Sequence, residues 1–317
     1  MTLNRDSIGL YLELAKARLT GLVALTTAAG FLLACRGDWD LWTLFWTVIG
    51  TGLAGGGSNG LNQWRESNLD GQMDRTRMRP LPSGRISPQR AFRFSVALST
   101  LGVGILAAFV NGLTALLGAV TVLLYVLVYT PLKTQTSLCT LVGAVCGAIP
   151  PMMGWTGAVG QIESGAWILA AILFVWQIPH FLALAWLYRA DYLRGGFRML
   201  PVVDPHGALT CHAVVLYCIA LLPVALTLSL VGVTGWLFAV GSVVLGGMFL
   251  SLGMRLYRQR TDREARRVFL GSLIYLSLLM ALMVADRLAP PLGVAEATGI
   301  SPFAKIYIDI ADSLEAD

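Results

Sequence analysis

The chain has 317 residues with a mean hydropathy of +0.69, and only 13% of the residues are charged. This composition excludes an ordinary soluble domain and is typical of a protein that crosses a membrane several times. The net charge of +5 does not indicate nucleic-acid binding, because the basic residues follow the pattern of membrane loops described below. The five cysteines have no metal-ligand spacing.

Apolar stretches long enough to cross a bilayer recur along the chain. Residues 8–18 come first and are typical of an amphipathic helix lying on the membrane surface. We predict an all-α polytopic membrane protein with a bundle of about nine transmembrane helices. The predicted spans are residues 20–35, 41–61, 92–110, 113–130, 138–158, 166–187, 212–231, 234–254 and 269–288.

Lysine and arginine are distributed unevenly between the connecting segments. With the N-terminus in the cytoplasm, all 23 of them except Arg36, Arg287 and Lys305 fall in cytoplasmic segments. The positive-inside rule therefore favours a cytoplasmic N-terminus and an external C-terminus. The chain shows no signal-peptide or transit pattern, so we expect a multi-pass protein of the cell (inner) membrane.

The densest polar segment, residues 58–88, follows the second span. At 100° per residue on an α-helix, Asn62, Glu66 and Asp70 share one face, whereas Asp74 has drifted by about 120°. Two carboxylates aimed at one place repel each other unless a cation lies between them. Mg²⁺ typically takes one or two carboxylates together with substrate phosphates, so this face predicts a magnesium site.

Arginines follow the acids at once, and prolines then end the helix. Arg75, Arg77 and Arg79 carry guanidinium groups, whose paired N–H donors match phosphate oxygens. The alternative is a solvated loop of mixed charge between two membrane helices. Such a loop does not require acids spaced at i, i+4 and i+8.

Tyr129 and Lys133 lie one helical turn apart at the cytoplasmic end of the fourth predicted span. Pro131, between them, loosens the helix and frees a backbone carbonyl. A lysine at this depth is often an anchor that reaches for the membrane surface. The predicted topology nevertheless brings Lys133 to the same side of the membrane as the acidic face of residues 62–70.

The sixth predicted span ends with a histidine inside the apolar stretch and charged residues just after it. His180 is a candidate ligand for iron or a hydrogen-bond donor, and helix packing is the alternative. Asp191 is a candidate second contact to metal or diphosphate, and a solvated loop acid is the alternative. Arg194 and Arg198 are candidates for binding substrate carboxylates.

Three polar clusters that open onto an apolar bundle suit an amphiphile with a diphosphate head and a hydrocarbon tail. Cations would neutralise the departing diphosphate, and aromatic rings would shield the allylic cation from water. The candidate rings are Trp64, Tyr125, Tyr129, Trp176 and Phe181. The candidate catalytic residues are Asn62, Glu66, Asp70, Tyr129 and Lys133. The candidate substrate contacts are Asp74, Arg75, Arg79, His180, Asp191, Arg194 and Arg198, and the candidate metal ligands are Glu66, Asp70 and Asp191.

The spacing Asn62-x3-Glu66-x3-Asp70 resembles the NxxxDxxxD signature of UbiA-type intramembrane prenyltransferases, with Glu in place of the first Asp. Four further segments resemble the haem-farnesylating family within these prenyltransferases. They are MDRTRMRPLPSGRISP (73–88), YTPLK (129–133), GAIPPMMGW (147–155) and WQIPHFLAL to MLPV (176–202). The resemblance covers residues 10–288. It implies a prenyltransferase domain over residues 1–288, and residues 289–317 are expected to be an acidic, poorly ordered external tail.

The resemblance implies Mg²⁺-dependent transfer of farnesyl from farnesyl diphosphate to a vinyl carbon of haem b (protohaem IX), with water addition giving haem O. It also implies partners that use the product, such as a haem A synthase or a terminal oxidase under assembly. Two departures stand out. The loop after the sixth span carries only Asp191 before Asp204, where the superfamily usually has two or more acids. Lys16-Ala17-Arg18 stands where the family usually has Lys-Pro-Arg, which gives that turn little weight.

Three alternatives stay open at this point. The first is a related enzyme that prenylates a quinone precursor or chlorophyllide. A transporter also carries intramembrane polar residues, but here the charges cluster on one side and no inverted repeat is evident. The third alternative is a haem chaperone without catalysis.

The charge distribution yields a test of topology. Reporter fusions after Arg85, Arg198 and Arg260 are expected to read cytoplasmic, and a fusion after Pro302 is expected to read external, because an odd number of spans separates the ends. A cytoplasmic reading at Pro302 would mean that the number of spans is even.

Overall fold

The computed structural model describes residues 5–35, 37 and 39–287, so the predicted tail from residue 289 lies outside the described residues. The regular elements in this part of the chain are helices, which confirms the all-α prediction. They are α1 (Arg5–Leu14), α2 (Ala17–Ala34), α3 (Leu41–Asp70), α4 (Pro88–Phe109), α5 (Gly112–Leu123), α6 (Thr130–Leu132), α7 (Cys139–Val159), α8 (Ser164–Leu187), α9 (Arg189–Arg194), α10 (Leu200–Val203), α11 (Ala208–Leu230), α12 (Trp236–Gln259) and α13 (Asp262–Ala285).

Within the described ranges, eight helices are long and apolar enough to cross a membrane: α2, α4, Gly112–Leu132, α7, α8, α11, α12 and α13. Each corresponds to one of the nine predicted spans. The remaining predicted span, residues 41–61, forms part of α3, which is not among the eight because glycines and polar residues interrupt its apolar character. The protein is therefore a multi-pass, all-α membrane protein.

Helix α3 is the element that carries the polar segment into the bundle. Asp40 caps its first turn by accepting a hydrogen bond from the Thr43 N–H at 3.0 Å. The helix runs for 30 residues, about 45 Å, and ends at Asp70 rather than near residue 61. Its last three turns are the ones that hold the predicted acidic face.

Glycines allow the central helices to pack with their backbones in close approach. A Cβ atom on Gly154 of α7 would lie 1.9 Å from the Thr27 carbonyl oxygen of α2. One on Gly102 of α4 would lie 2.3 Å from the Ala54 nitrogen of α3. Helices α7 and α8, with 78% and 61% of their spans buried, form the centre of the bundle.

A π-helical segment, Leu124–Tyr129, joins α5 to α6. The Thr130 N–H donates to the Tyr125 carbonyl oxygen, five residues earlier. Pro131 follows, and its ring disfavours the regular α-helical path because it lacks an N–H and crowds the carbonyl four residues before it. This widened turn precedes Lys133 at the end of the Gly112–Leu132 span.

Candidate active site

The last turns of α3 form one wall of a cavity of about 370 Å³. Asn62, Glu66 and Asp70 line this cavity and are only 1, 5 and 1% exposed. Helices α2, α7 and α8 and the Gly112–Leu132 span supply other walls. The acidic face expected from the spacing is therefore turned into the protein and away from bulk water.

Both carboxylates of this wall are paired with cations from other segments. Lys133 Nζ lies 2.8 Å from Glu66 Oε1 and donates to Oε2 at 3.1 Å. Arg79 Nη1 donates to both Asp70 oxygens, at 2.9 and 2.7 Å. Burial alone would lower the pKa of Lys133, but the adjacent Glu66 carboxylate raises it above its usual range, so the lysine stays charged.

The structure adds a residue that the sequence pattern did not favour. Lys16, between α1 and α2, lines the cavity, and its Nζ donates to Asn62 Oδ1 at 3.2 Å. Its backbone is left-handed (φ 49°, ψ 53°), a conformation that costs an ordinary residue about 1–2 kcal/mol. Burial, together with the nearby Arg79 and Lys133, lowers the pKa of Lys16 to about 7. The turn is part of the site, contrary to expectation.

Aromatic rings support two of the cations at the charged end of the cavity. Lys133 Nζ lies 4.6 Å from the centre of the Tyr129 ring. The Arg75 guanidinium lies 4.6 Å from the centre of the Tyr188 ring and donates to the Tyr192 hydroxyl at 3.2 Å. These cation–π contacts orient the two basic groups while leaving donors free for a ligand.

Besides His180, which is described below, four predicted substrate contacts are not among the residues that line the cavity: Asp74, Asp191, Arg194 and Arg198. Arg194 bridges Asp74, at 2.6 Å, and Asp191. The Arg198 N–H donates to the Lys133 carbonyl at 2.7 Å, while its side chain reaches the Gln135 carbonyl. These residues hold together the loops at the rim and fix the backbone of Lys133.

The third predicted metal ligand is not brought together with the other two. Asp191 pairs with Arg194, and among the described residues no three His, Cys, Asp or Glu side chains are close enough to hold a metal ion. Glu66 Oε1 is buried and close to Lys133, but it accepts no well-directed hydrogen bond. Glu66 and Asp70 therefore fit a Mg²⁺ ion of the kind whose remaining ligands are substrate oxygens and water.

His180 lies on α8 next to Phe181, a cavity residue, but does not itself line the cavity. Its ring stacks on Trp176 and approaches Phe269. Its Nδ1 lies 2.7 Å from Ser272 Oγ on α13, and no described residue contacts its Nε2 by a hydrogen bond.

The fold places only some of the rings predicted to shield an allylic cation in the cavity. Tyr125, Tyr129 and Phe181 line the cavity. Trp176 instead stacks on His180, and Trp64 packs against Phe92. Three of the five candidate rings can therefore contact a ligand in the cavity.

The sequence profile of the UbiA prenyltransferase family matches residues 23–282. A protoheme IX farnesyltransferase of Solibacter usitatus is 45% identical over 286 residues, covering 87% of this chain and 98% of that protein. One from Salinibacter ruber is 45% identical over 276 residues, with the same coverage. A UbiA homolog from Archaeoglobus fulgidus bound to DMAPP and Mg²⁺ has the same fold, with a TM-score of 0.64 at 15% identity, covering 87% of this chain and 98% of that chain.

The family match spans the helices that build the cavity, and the likeness to the solved structure agrees with the helical bundle. The chain belongs to the UbiA prenyltransferase family.

Proposed function

We propose that this chain transfers the farnesyl group of farnesyl diphosphate to a vinyl group of protohaem IX, giving haem O and diphosphate. The observation that carries the proposal is the division of the cavity into a charged end and an apolar end. The charged residues that line it are Lys16, Glu66, Asp70, Arg75, Arg79 and Lys133. The four cations outnumber the two carboxylates, which suits a diphosphate head, and the similarity to protoheme IX farnesyltransferases supports the choice of substrates.

The chemistry follows from placing the diphosphate among these cations. The bond between the allylic carbon and the diphosphate oxygen breaks, and the oxygen keeps the electron pair. Lys133 and Arg79 stabilise the charge that develops on the leaving group. The vinyl π electrons attack the allylic cation, and the new cation beside the porphyrin ring takes up water and loses a proton. Tyr125, Tyr129 and Phe181 protect the first cation from early capture by water.

The ion pairs suggest how the site binds its substrate. Lys133 is paired with Glu66, and Arg79 is paired with Asp70. A diphosphate that enters competes for both cations. Glu66 and Asp70 would then hold a Mg²⁺ ion together with phosphate oxygens, which relieves the repulsion between the acids and the phosphate. The ion supplies further neutralisation of the leaving group.

The hydrogen bonds of His180 support its role at the acceptor. Ser272 Oγ donates its proton to the Phe269 carbonyl at 2.6 Å, so it accepts from the Nδ1–H of His180. The lone pair of the ring therefore lies on Nε2. Histidines that bind metals usually have the other N–H held in this way, so we assign Nε2 as the ligand of the haem iron.

In the proposed topology the chain crosses the bacterial inner membrane nine times, with the N-terminus in the cytoplasm. Helix α3 adds one span to the eight helices that are long and apolar enough to cross. Two contacts support a common side for the basic segments. Arg85 pairs with Glu13 at 3.0 Å, and Arg189 pairs with Asp262 at 2.6 Å. They link the loop after α3 to α1, and the end of α8 to the start of α13.

The acceptor is tested with purified protein in lipid nanodiscs, farnesyl diphosphate and haem b, followed by mass spectrometry of the extracted haem. Haem O is the expected product, and 4-hydroxybenzoate offered with the same donor is expected to stay unmodified. Haem b alone is expected to show a Soret shift that His180→Ala weakens. Prenylated benzoate beside unchanged haem would contradict the proposed acceptor, and a Soret shift unaffected by His180→Ala would contradict only the iron ligand.

Lys16 and Arg18 form a matched pair for the diphosphate site, since only Lys16 lines the cavity and Arg18 is exposed. Lys16→Ala is expected to lower kcat/KM for farnesyl diphosphate on the order of 10- to 100-fold, because it removes a contact to the diphosphate. Lys16→Arg should retain more activity, and Arg18→Ala should stay close to wild type. Equal kinetics for Lys16→Ala and Arg18→Ala would remove Lys16 from the site.

Asp70 and Asp74 form a second matched pair, one turn apart on the chain. Asp70→Asn is expected to lose most of its turnover and to need more Mg²⁺, because one of two metal-binding carboxylates is gone. Asp74→Asn should keep most of its turnover, since Asp74 is exposed and contacts arginines at the rim. The measurement is turnover against Mg²⁺ concentration, and near-normal turnover of Asp70→Asn after chelation would exclude the metal role.

A further inference from the structure

The end of the cavity opposite the charged residues is lined by uncharged residues, and we call this end the floor. The lining residues of each helix can be followed from the charged end to the last one that borders the space. These last residues are Val23, Gly55, Thr121, Pro150 and Gln177. Gly55 lies eleven positions before Glu66 on α3, which is a rise of about 16 Å along the helix axis.

Gly55 differs from other glycines of the cavity in what surrounds it. A Cβ atom on Gly143 would lie 2.7 Å from Tyr129 Cε2, and one on Gly147 would lie 2.0 Å from Gln177 Oε1. These two glycines are required by packing. A Cβ atom on Gly55 would meet no atom within 4 Å, so its missing side chain leaves open space at the floor.

A glycine inside a helix is less favourable for stability than an alanine at the same position. Close helix packing does not require a glycine at position 55, because no neighbouring atom lies near the point where a Cβ atom would be. A prenyl tail whose diphosphate lies at Lys133 and Arg79 would extend along α3 towards this floor. The open space at Gly55 is where the far end of the tail would lie.

We infer that Gly55 determines the length of the prenyl chain that the site accepts. The inference rests on the proposed function, because it takes the ligand of the cavity to be a prenyl diphosphate. A larger side chain at this position would fill the space of the last isoprene unit. It would leave the charged end, more than two helical turns away, unchanged.

Gly52 supplies the matched control. It lies on the same helix, three residues earlier, and its Cβ would also meet no atom within 4 Å. Gly52, however, borders a separate apolar groove between α1, α2, α3 and α4 and does not line the cavity. Gly55→Leu and Gly52→Leu therefore add the same side chain to two different spaces, three residues apart on one helix.

The experiment measures kcat/KM for farnesyl and for geranyl diphosphate, with haem b as acceptor, in nanodiscs of the full chain. Gly55→Leu is expected to lower the ratio of farnesyl to geranyl transfer on the order of 10-fold or more, since overfilling a pocket discriminates by size. Gly52→Leu should keep the wild-type ratio. Gly55→Ala and Gly55→Val, with smaller added volumes, should shift the ratio in graded steps.

An unchanged ratio in active Gly55→Leu protein, or an equal loss with both donors, would overturn the inference. If Gly55→Leu does not accumulate, the graded series decides: a ratio that stays at the wild-type value in Gly55→Val overturns it as well. Failure of the proposed function is a separate result, because wild-type protein would then transfer neither prenyl group to haem.

Discussion

The pairing of Glu66 with Lys133 and of Asp70 with Arg79 is the interaction on which the site depends. A carboxylate buried without a partner costs several kcal/mol, and near a membrane water cannot easily replace the partner. The two cations come from the end of the Gly112–Leu132 span and from the loop after α3. Charge neutralisation therefore draws three separate segments around one cavity.

The same pairs link stability to ligand binding. An ion pair inside a low-dielectric site is strong, but a diphosphate offers its cations a second, more highly charged partner. A site whose carboxylates are neutralised by its own cations can keep those carboxylates buried and still release the cations to a substrate. Lys16 extends this logic, because burial and the neighbouring cations lower its pKa and an anion beside it would oppose that shift.

Sequence reasoning succeeded where the governing physics is local. Apolar length predicted eight of the spans, and helical periodicity placed Asn62, Glu66 and Asp70 on one face. It failed where position depends on distant contacts. The contact from Lys16 to Asn62 joins residues 46 apart through a left-handed turn, which no periodicity indicates. The contacts of His180 with Ser272 and Phe269 of α13 are likewise not encoded in the apolar pattern of α8 itself.

The π-helical segment Leu124–Tyr129 has a consequence for helical phase. A π turn holds one more residue than the α turn it replaces. The residues after it are therefore rotated about the helix axis by about 100° from the positions they would take in a continuous α-helix. Tyr125 lies at the beginning of this segment and Lys133 lies after it, and both face the cavity. In a regular α-helix, residues eight positions apart point about 80° apart, whereas the extra residue of the π turn brings Tyr125 and Lys133 close to one face. The position of the lysine opposite Glu66 therefore depends on how the chain winds at this turn as much as on residue identity.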